Sequence, residues 1–408
     1  MHSAQETNDR VTTGSVWEVF MTFLRLGLTS FGGPIAHLGY FRDELVSRRK
    51  WLSEDSYGDL VALSQFLPGP ASSQVSFSLG VLRGGGLLGG LAAWFGFTMP
   101  SAIVLFAFAM GAASFTGPLA QGVIHGLKLV AVAVVAQAVW GMARSLTPDR
   151  QRAGIALVAV FAVVMFGGSV AQVAAIVIGG VAGLWLCRNP AAAVDGHLNF
   201  PVSKTQGVAA LLLFAVLLLA LPTLSAVTAN GNLHLFDAFY RSGALVFGGG
   251  HVVLPLLQAE MVAPGWVGTE SFLAGYGVAQ AVPGPLFTFA AYLGADASQA
   301  SSPLAGASLA LIAVFLPGLL LVYGMLPFWD RFRTRPAAQA AMRGANAAVV
   351  GILAAALYTP VWTGAVLDAL DFALALGGFL LLTVWKAPPW IVVALLAAAG
   401  GLMGTLAG

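Results

Sequence analysis

The chain reads as a series of apolar runs separated by short polar stretches, and several runs are broken in the middle. A polar stretch covers 1–15. Apolar sequence then fills 16–40 but is interrupted by Phe31-Gly32-Gly33-Pro34. Residues 41–56 are charged and read as a loop or amphipathic turn. The next apolar run, 57–80, carries Ser64-Gln65-Phe66-Leu67-Pro68-Gly69-Pro70 at its centre. Spans are expected at about 87–112, about 119–142, twice within about 153–187, and at about 206–226 after a hydrophilic connector at 188–205. Runs near 20 apolar residues are long enough to cross a bilayer. The pattern predicts an all-α polytopic membrane protein. Two prolines around a glycine cannot continue a helix, and broken backbone at membrane depth survives only against protein or a wet cavity.

The pattern then restarts. Arg241-x-Gly243 and Phe247-Gly248-Gly249 repeat Arg25-x-Gly27 and Phe31-Gly32-Gly33 at an offset of 216, and Glu260 repeats Glu44. Trp266 and Gln280-x-x-Pro283-Gly284-Pro285 repeat Trp51 and Gln65-x-x-Pro68-Gly69-Pro70 at an offset of 215. Pro317 and Gly344 follow in the same order after Pro100 and Gly126. The expected organisation is a cytoplasmic tail at 1–15, a first repeat at 16–187, a connector at 188–234 with one linking helix, and a second repeat at 235–408.

Lys and Arg indicate how the halves are oriented, because cytoplasmic loops are rich in them. Residues 41–56 hold four and the matching 256–271 none; residues 144–152 hold three and 358–371 none. Conversely, 328–336 holds Arg331, Arg333 and Arg335, while 112–118 holds none. Opposite bias in two copies is the mark of inverted-topology repeats. If 41–56, 83–86 and 144–152 all face the cytoplasm, the runs at 16–40 and 57–80 enter and leave on one side as re-entrant hairpins. Runs 235–257 and 272–294 then enter from the other side. The competing reading is thirteen plain spans.

Composition narrows the functional classes. The chain is 58% hydrophobic and 9% charged, against about 25% charged in soluble domains. The net charge of +2 gives no sign of a nucleic-acid partner. The lone Cys187 excludes an intrachain disulfide, and no Cys/His spacing suggests a metal. Residues 1–15 lack the apolar core of a cleaved signal peptide. A GxxxxGK[ST] loop is absent, which argues against an ATP-driven pump with its own P-loop. No catalytic constellation and no cofactor motif emerges. The 50 glycines suit close helix packing in lipid and make a homodimer plausible.

The candidate chemistry belongs to an anion path. Arg25 and Arg241 lie in register inside apolar runs, where an arginine costs roughly 2.5–3.5 kcal/mol and usually faces a cavity; the alternative is snorkelling to the interface. A guanidinium fork suits oxyanions. Half-helices restarting after Gly32, Gly33, Gly248 and Gly249, and after Pro68-Gly69-Pro70 and Pro283-Gly284-Pro285, would offer free N–H groups to an anion. Gln65 and Gln280 would add amide groups beside the breaks. Glu44, Glu260, His37 and His251 are candidates for coupling, with an interfacial position the plainer reading for the glutamates. Asp59 and Lys128 are further isolated charges.

Phe31-Gly32-Gly33-Pro34 with Gln65-Phe66-Leu67-Pro68-Gly69-Pro70, and their echoes Phe247-Gly248-Gly249-Gly250 and Gln280-Ala281-Val282-Pro283-Gly284-Pro285, resemble the chromate ion transporter family in its long, two-domain form. The resemblance covers nearly the whole chain. It implies chromate efflux across a bacterial inner membrane and implicates Arg25, Gly32, Gly33, Pro68, Gly69 and Pro70. Gly250 departs from the pattern, standing where the first half has Pro34. From the residues alone the ligand is a small divalent oxyanion. A sulfate transporter on the same scaffold, with sulfate as competitor, and a passive anion channel remain the alternatives.

Overall fold

The computed structural model describes residues 13–112, 117–188, 200–297, 299–332 and 335–407. Most of the expected tail, the connector at 189–199 and Arg333 lie outside them. The described chain is helical. The first half contains α1 (Val16–Thr29), α2 (Gly33–Phe41), α3 (Glu54–Phe66), α4 (Ala71–Arg83), α5 (Leu87–Ala112), α6 (Pro118–Leu146), α7 (Arg150–Phe166) and α8 (Gly168–Leu186). The linking helix is α9 (Lys204–Val227). The second half contains α10 (Gly231–Ala244), α11 (Val253–Leu257), α12 (Thr269–Ala279), α13 (Phe289–Asp296), α14 (Pro303–Met325), α15 (Trp329–Phe332), α16 (Pro336–Ala356), α17 (Thr363–Ala365), α18 (Ala369–Thr383) and α19 (Pro389–Ala407). Among the described residues, seven helices are long and apolar enough to cross a membrane.

The broken runs double back. Helix α1 has 14 residues and α3 and α4 have 13 each. At 1.5 Å per residue each is about 20 Å long, short of the roughly 30 Å hydrocarbon core. Phe23 of α1 meets Phe41 of α2 edge-on, with ring centroids 5.6 Å apart, so the two legs run side by side from the turn at Ser30–Gly32. The free ends of both hairpins gather at one level. Gly14 N–H donates to Arg83 O at 2.7 Å. The Arg83 guanidinium pairs with Glu18 at 3.1 Å and lies 5.2 Å over the Trp51 ring. The second half repeats the device: Asn232 and Ser301 exchange two hydrogen bonds of 3.0 Å, and the His234 ring stands 6.4 Å from Trp266. The matched tryptophans therefore mark the mouths of matched hairpins.

One stretch differs from expectation. Residues 41–56 are not mainly loop: α2 runs on through a widened π-helical turn, Arg42–Arg48, and an equivalent turn, Gln258–Val262, follows α11. Each wide turn contains one of the matched glutamates, Glu44 and Glu260.

The halves are interlocked by exchange. Helix α8 packs along α16, and α19 packs along α6. The matched glycines explain how the backbones come so close: a Cβ on Gly126 would strike the Leu396 carbonyl, and one on Gly344 would strike the Gly179 carbonyl. Helix α9 has only 17% of its apolar window buried, so most of its surface is left for lipid.

Candidate functional site

The four hairpin tips meet, and they meet crosswise. Gly69 N–H, in the second tip of the first half, donates to Val246 O, in the first tip of the second half, at 2.7 Å. Gly284 N–H, in the second tip of the second half, donates to Ser30 O, in the first tip of the first half, at 2.9 Å. The two bonds are related by the repeat: 30 corresponds to 246 and 69 to 284. Gly69 and Gly284 take φ of +127° and +104°, a region that side chains disfavour. Gly250 lies against Pro34, so the one departure in the motif sits where the two first tips touch.

Each returning half-helix begins at this junction. The first intrahelical bond of α4 runs from Gln74 N–H to Pro70 O, which leaves the N–H groups of Ala71, Ser72 and Ser73 without a helical acceptor. In the second half the corresponding first bond is Thr288 N–H to Pro285 O. Carbonyls at the ends of the entering legs are partly used up: Ser30 and Val246 accept from the opposite tips. Pro68 O accepts from Gln74 Nε2 at 2.8 Å. The junction is thus biased toward free donors, and each helix start adds about half a positive charge.

The structure divides the expected site residues into two groups. Gly32, Gly33, Pro68, Gly69, Pro70, Gly248, Gly249, Pro283, Gly284 and Pro285 form the tips. Gln65 is exposed one turn before its tip, whereas Gln280 is half-buried with Nε2 unpartnered within the protein. The arginines stand apart, on the legs. Arg241 donates from Nη1 and Nη2 to Glu260 at 2.8 and 2.9 Å and from Nε to Asp237 at 3.1 Å. These groups line a 410 Å³ groove with His234 and Trp266. Arg25 lines the equivalent 250 Å³ groove with Thr22, Tyr40, Asp43 and Glu44, but Glu44 is held by Arg48 at 2.8 Å and Arg49 at 2.7 Å. No carboxylate pairs with Arg25 among the described residues. The histidines are not equivalent either. His37 is fully buried on α2, its Nδ1 3.4 Å from Ser72 Oγ, while His251 shares a 2.8 Å hydrogen bond with the Tyr276 hydroxyl.

Sequence reasoning passed over several groups. Gln74 Nε2 also donates to Gly318 O at 3.0 Å, tying the first half's second tip to α14. Asp237 was legible as an acid four residues before Arg241, the spacing of a helical ion pair. The isolated charges have partners across the repeat boundary: Trp329 Nε1 donates to buried Asp59 at 3.0 Å, and Lys128 Nζ donates to Glu270 at 3.1 Å.

Comparison with known proteins bears on what such a junction serves. A model of the family described as Chromate transporter matches residues 17–184 and again 233–402. The chromate transport protein of Pseudomonas aeruginosa is 30% identical over 402 residues, covering 95% of this chain and 92% of the relative. The chromate transport protein of Cupriavidus metallidurans is 28% identical over 356 residues, covering 85% and 82%. The probable chromate transport protein of Synechococcus elongatus is 29% identical over 348 residues, covering 84% of each. No solved structure matches the chain.

Proposed function

The chain belongs to the chromate transporter family, and we propose that it is a secondary transporter that exports chromate from the cytoplasm by alternating access between its two inverted repeats. The observation that carries this reading is the crosswise junction of four re-entrant tips. Half-helix N-termini converging between two repeats are the arrangement by which transporters hold anions at mid-membrane. Of the paired arginines, Arg25 is the better candidate to meet the dianion on its way to the junction, since Arg241 has its donors engaged by Asp237 and Glu260.

Sidedness follows from charge. The level at which both first-half hairpins open carries Arg42, Arg48, Arg49, Lys50 and Arg83, and the chain path returns Arg144, Arg150, Arg331 and Lys386 to it. We assign that level to the cytoplasm of a bacterial inner membrane. Of the tail and the connector, the described residues 13–15, 188 and 200–205 fall on the same side.

The test is chromate uptake into inside-out membrane vesicles containing the protein, with and without excess sulfate. Uptake that depends on the protein, follows an imposed gradient and is reduced by sulfate supports an oxyanion exporter of modest selectivity. Movement of sulfate without chromate would remove chromate and keep the site. Flux that ignores every gradient but the anion's own would replace the transporter by a passive channel.

A further inference from the structure

The backbone of the tip junction is symmetric, but the side chains around it are not. On the first repeat's side the tips are surrounded by Ser30, His37, Ser72, Ser73, Thr98 and Ser101, all at 2% exposure or less. Four of these keep a polar atom without a partner within the protein: Ser30 Oγ, His37 Nε2, Ser73 Oγ and Thr98 Oγ1. Burying such groups unpaired is costly, and they are ordinarily satisfied in folded proteins. At the repeat-related positions the second half has Val246 for Ser30, Phe287 for Ser72, Phe315 for Thr98 and Gly318 for Ser101. Only Ser73 has a hydroxyl counterpart, Thr288, and that one is already spent on Pro285 O at 2.7 Å.

Contacts gather Ser30, His37, Ser72 and Ser101 at the crossed tips, and Ser73 and Thr98 are their buried neighbours on α4 and α5. His37 Nδ1 is 3.4 Å from Ser72 Oγ at the start of α4, and the His37 ring meets Phe97 of α5 edge-on at 5.3 Å. A Cβ on Gly284 would come 2.8 Å from Ser101 Oγ and 3.3 Å from Phe97 O, and Gly284 N–H is bonded to Ser30 O. The cluster therefore sits where the α4 N-terminus, α2 and α5 converge on the crossed tips, beside the free N–H groups of Ala71, Ser72 and Ser73.

We propose that the transported oxyanion is held off the pseudo-two-fold axis, on the first repeat's side, by this cluster of buried hydroxyl and imidazole groups together with the α4 N-terminus. The proposal rests on the oxyanion reading above and adds the residues that bind. Neutral donors suit a tetrahedral dianion because a hydrogen bond to an ionised acceptor is about twice as strong as one between neutral groups. They also let the ion leave, since no fixed cation in the cluster holds it. The second repeat has valine and phenylalanine at the matching positions, and the unpartnered groups on its side are the amides of Gln280 and Asn346 rather than hydroxyls.

The test uses purified full-length protein in proteoliposomes, with initial chromate flux giving KM and sulfate inhibition giving an independent affinity. Thr98→Val and Ser73→Ala each remove one hydroxyl at nearly constant volume. Each is expected to raise KM by about tenfold or more, the loss of one hydrogen bond to a charged group, with little change in melting temperature. Thr98→Ser, which keeps the hydroxyl, should return KM close to wild type, and Thr288→Val in the second half should leave it within about twofold. Wild-type KM in both first-half variants would overturn the proposal while leaving the transporter reading intact. So would an equal effect of Thr288→Val. If the unsubstituted protein moves neither chromate nor sulfate, and neither ion raises its melting temperature, both readings fall together.

Discussion

Substituting alanine at Gly69 attacks the junction at one atom. Two costs arise. A φ of +127° is strained for any residue with a Cβ, worth about 1–3 kcal/mol. The new methyl would lie 2.8 Å from Gln74 Nε2 and 3.0 Å from the Gly318 Cα. The amide can swing, but the Gly318 backbone is fixed within α14, so the tip itself must retreat. Retreat strains the Gly69 N–H bond to Val246 O and the two bonds of Gln74, each worth about 1 kcal/mol net. With all three bonds lost the sum is roughly 4–6 kcal/mol, concentrated where the two halves touch. Gly39, in α2, is a control from the same half: it has ordinary backbone angles and nothing within 4 Å of a built Cβ. Gly39→Ala is expected to be neutral or slightly stabilising, by up to about 1 kcal/mol. Melting of the detergent-purified proteins followed by intrinsic fluorescence, with chromate flux in proteoliposomes, reads both effects. Gly69→Ala should melt several degrees lower and lose most of its flux; Gly39→Ala should do neither. A Gly69→Ala protein with wild-type melting and flux would refute the idea that the crossed tips are a tight junction.

Further predictions test the surrounding frame. In a Cys187→Ser background, cysteines placed at Arg48 and Arg150 should react with a membrane-impermeant thiol reagent from the same face; labelling from opposite faces would rule out the hairpins. Trp329→Phe withdraws the indole donor from buried Asp59 and should destabilise by about 1–3 kcal/mol, measured as a lowered melting temperature; an unchanged value would mean that this contact contributes nothing. Glu270→Gln leaves the buried Lys128 without its carboxylate partner, but Glu270 itself is mostly exposed, so the expected loss is about 1–2 kcal/mol, and an unchanged melting temperature would mean that the pair contributes nothing. Arg25→Ala should reduce chromate flux severely with membrane insertion intact, and equal flux would defeat the role given to Arg25.

What the sequence made legible was mostly backbone. Pro-Gly-Pro interrupts a helix because the constraint is local to φ and to the missing N–H, whereas Gly-Gly by itself does not: the Phe-Gly-Gly pairs break, but those at 89–90, 179–180, 377–378 and 400–401 stay helical. The breaks at 30–33, 67–70, 245–249 and 280–285 are therefore readable residue by residue. The proposed inversion rests on the same kind of local signal, since Lys and Arg distribute by membrane side. The tertiary arrangement was not readable. Nothing in the spacing says that Ser30 bonds to Gly284 rather than to Gly69, or that α8 and α19 exchange partners across the repeat. The pairing of Arg241 shows the limit: its register with Arg25 suggested one shared role, yet Glu44 has arginines at 48 and 49 to hold it, whereas the second half has Pro264 and Gly265 there. With no competing cation, Glu260 turns to Arg241.

That difference separates what duplication preserves from what it releases. The tip glycines, the wide turns and the close glycine contacts of α6 and α16 recur because both copies need the same backbone to cross the same membrane. The charged and polar side chains diverge, as the proposed one-sided binding of the ion would allow. Conservative replacement of the arginines exposes the division. Arg241→Lys keeps the charge but forfeits the paired hydrogen bonds to Glu260 and the third to Asp237. Breaking a buried pair costs about 3–5 kcal/mol, and with the Arg241 side chain 29% exposed and a lysine still present roughly 1–3 kcal/mol is the reasonable expectation. The change should appear as a lower melting temperature with KM for chromate nearly unchanged. Arg25→Lys breaks no ion pair among the described residues, so its melting temperature should hold while KM rises. If instead both lysine variants shift KM alike and melt alike, the two arginines still share one function, and the asymmetry of their surroundings is incidental.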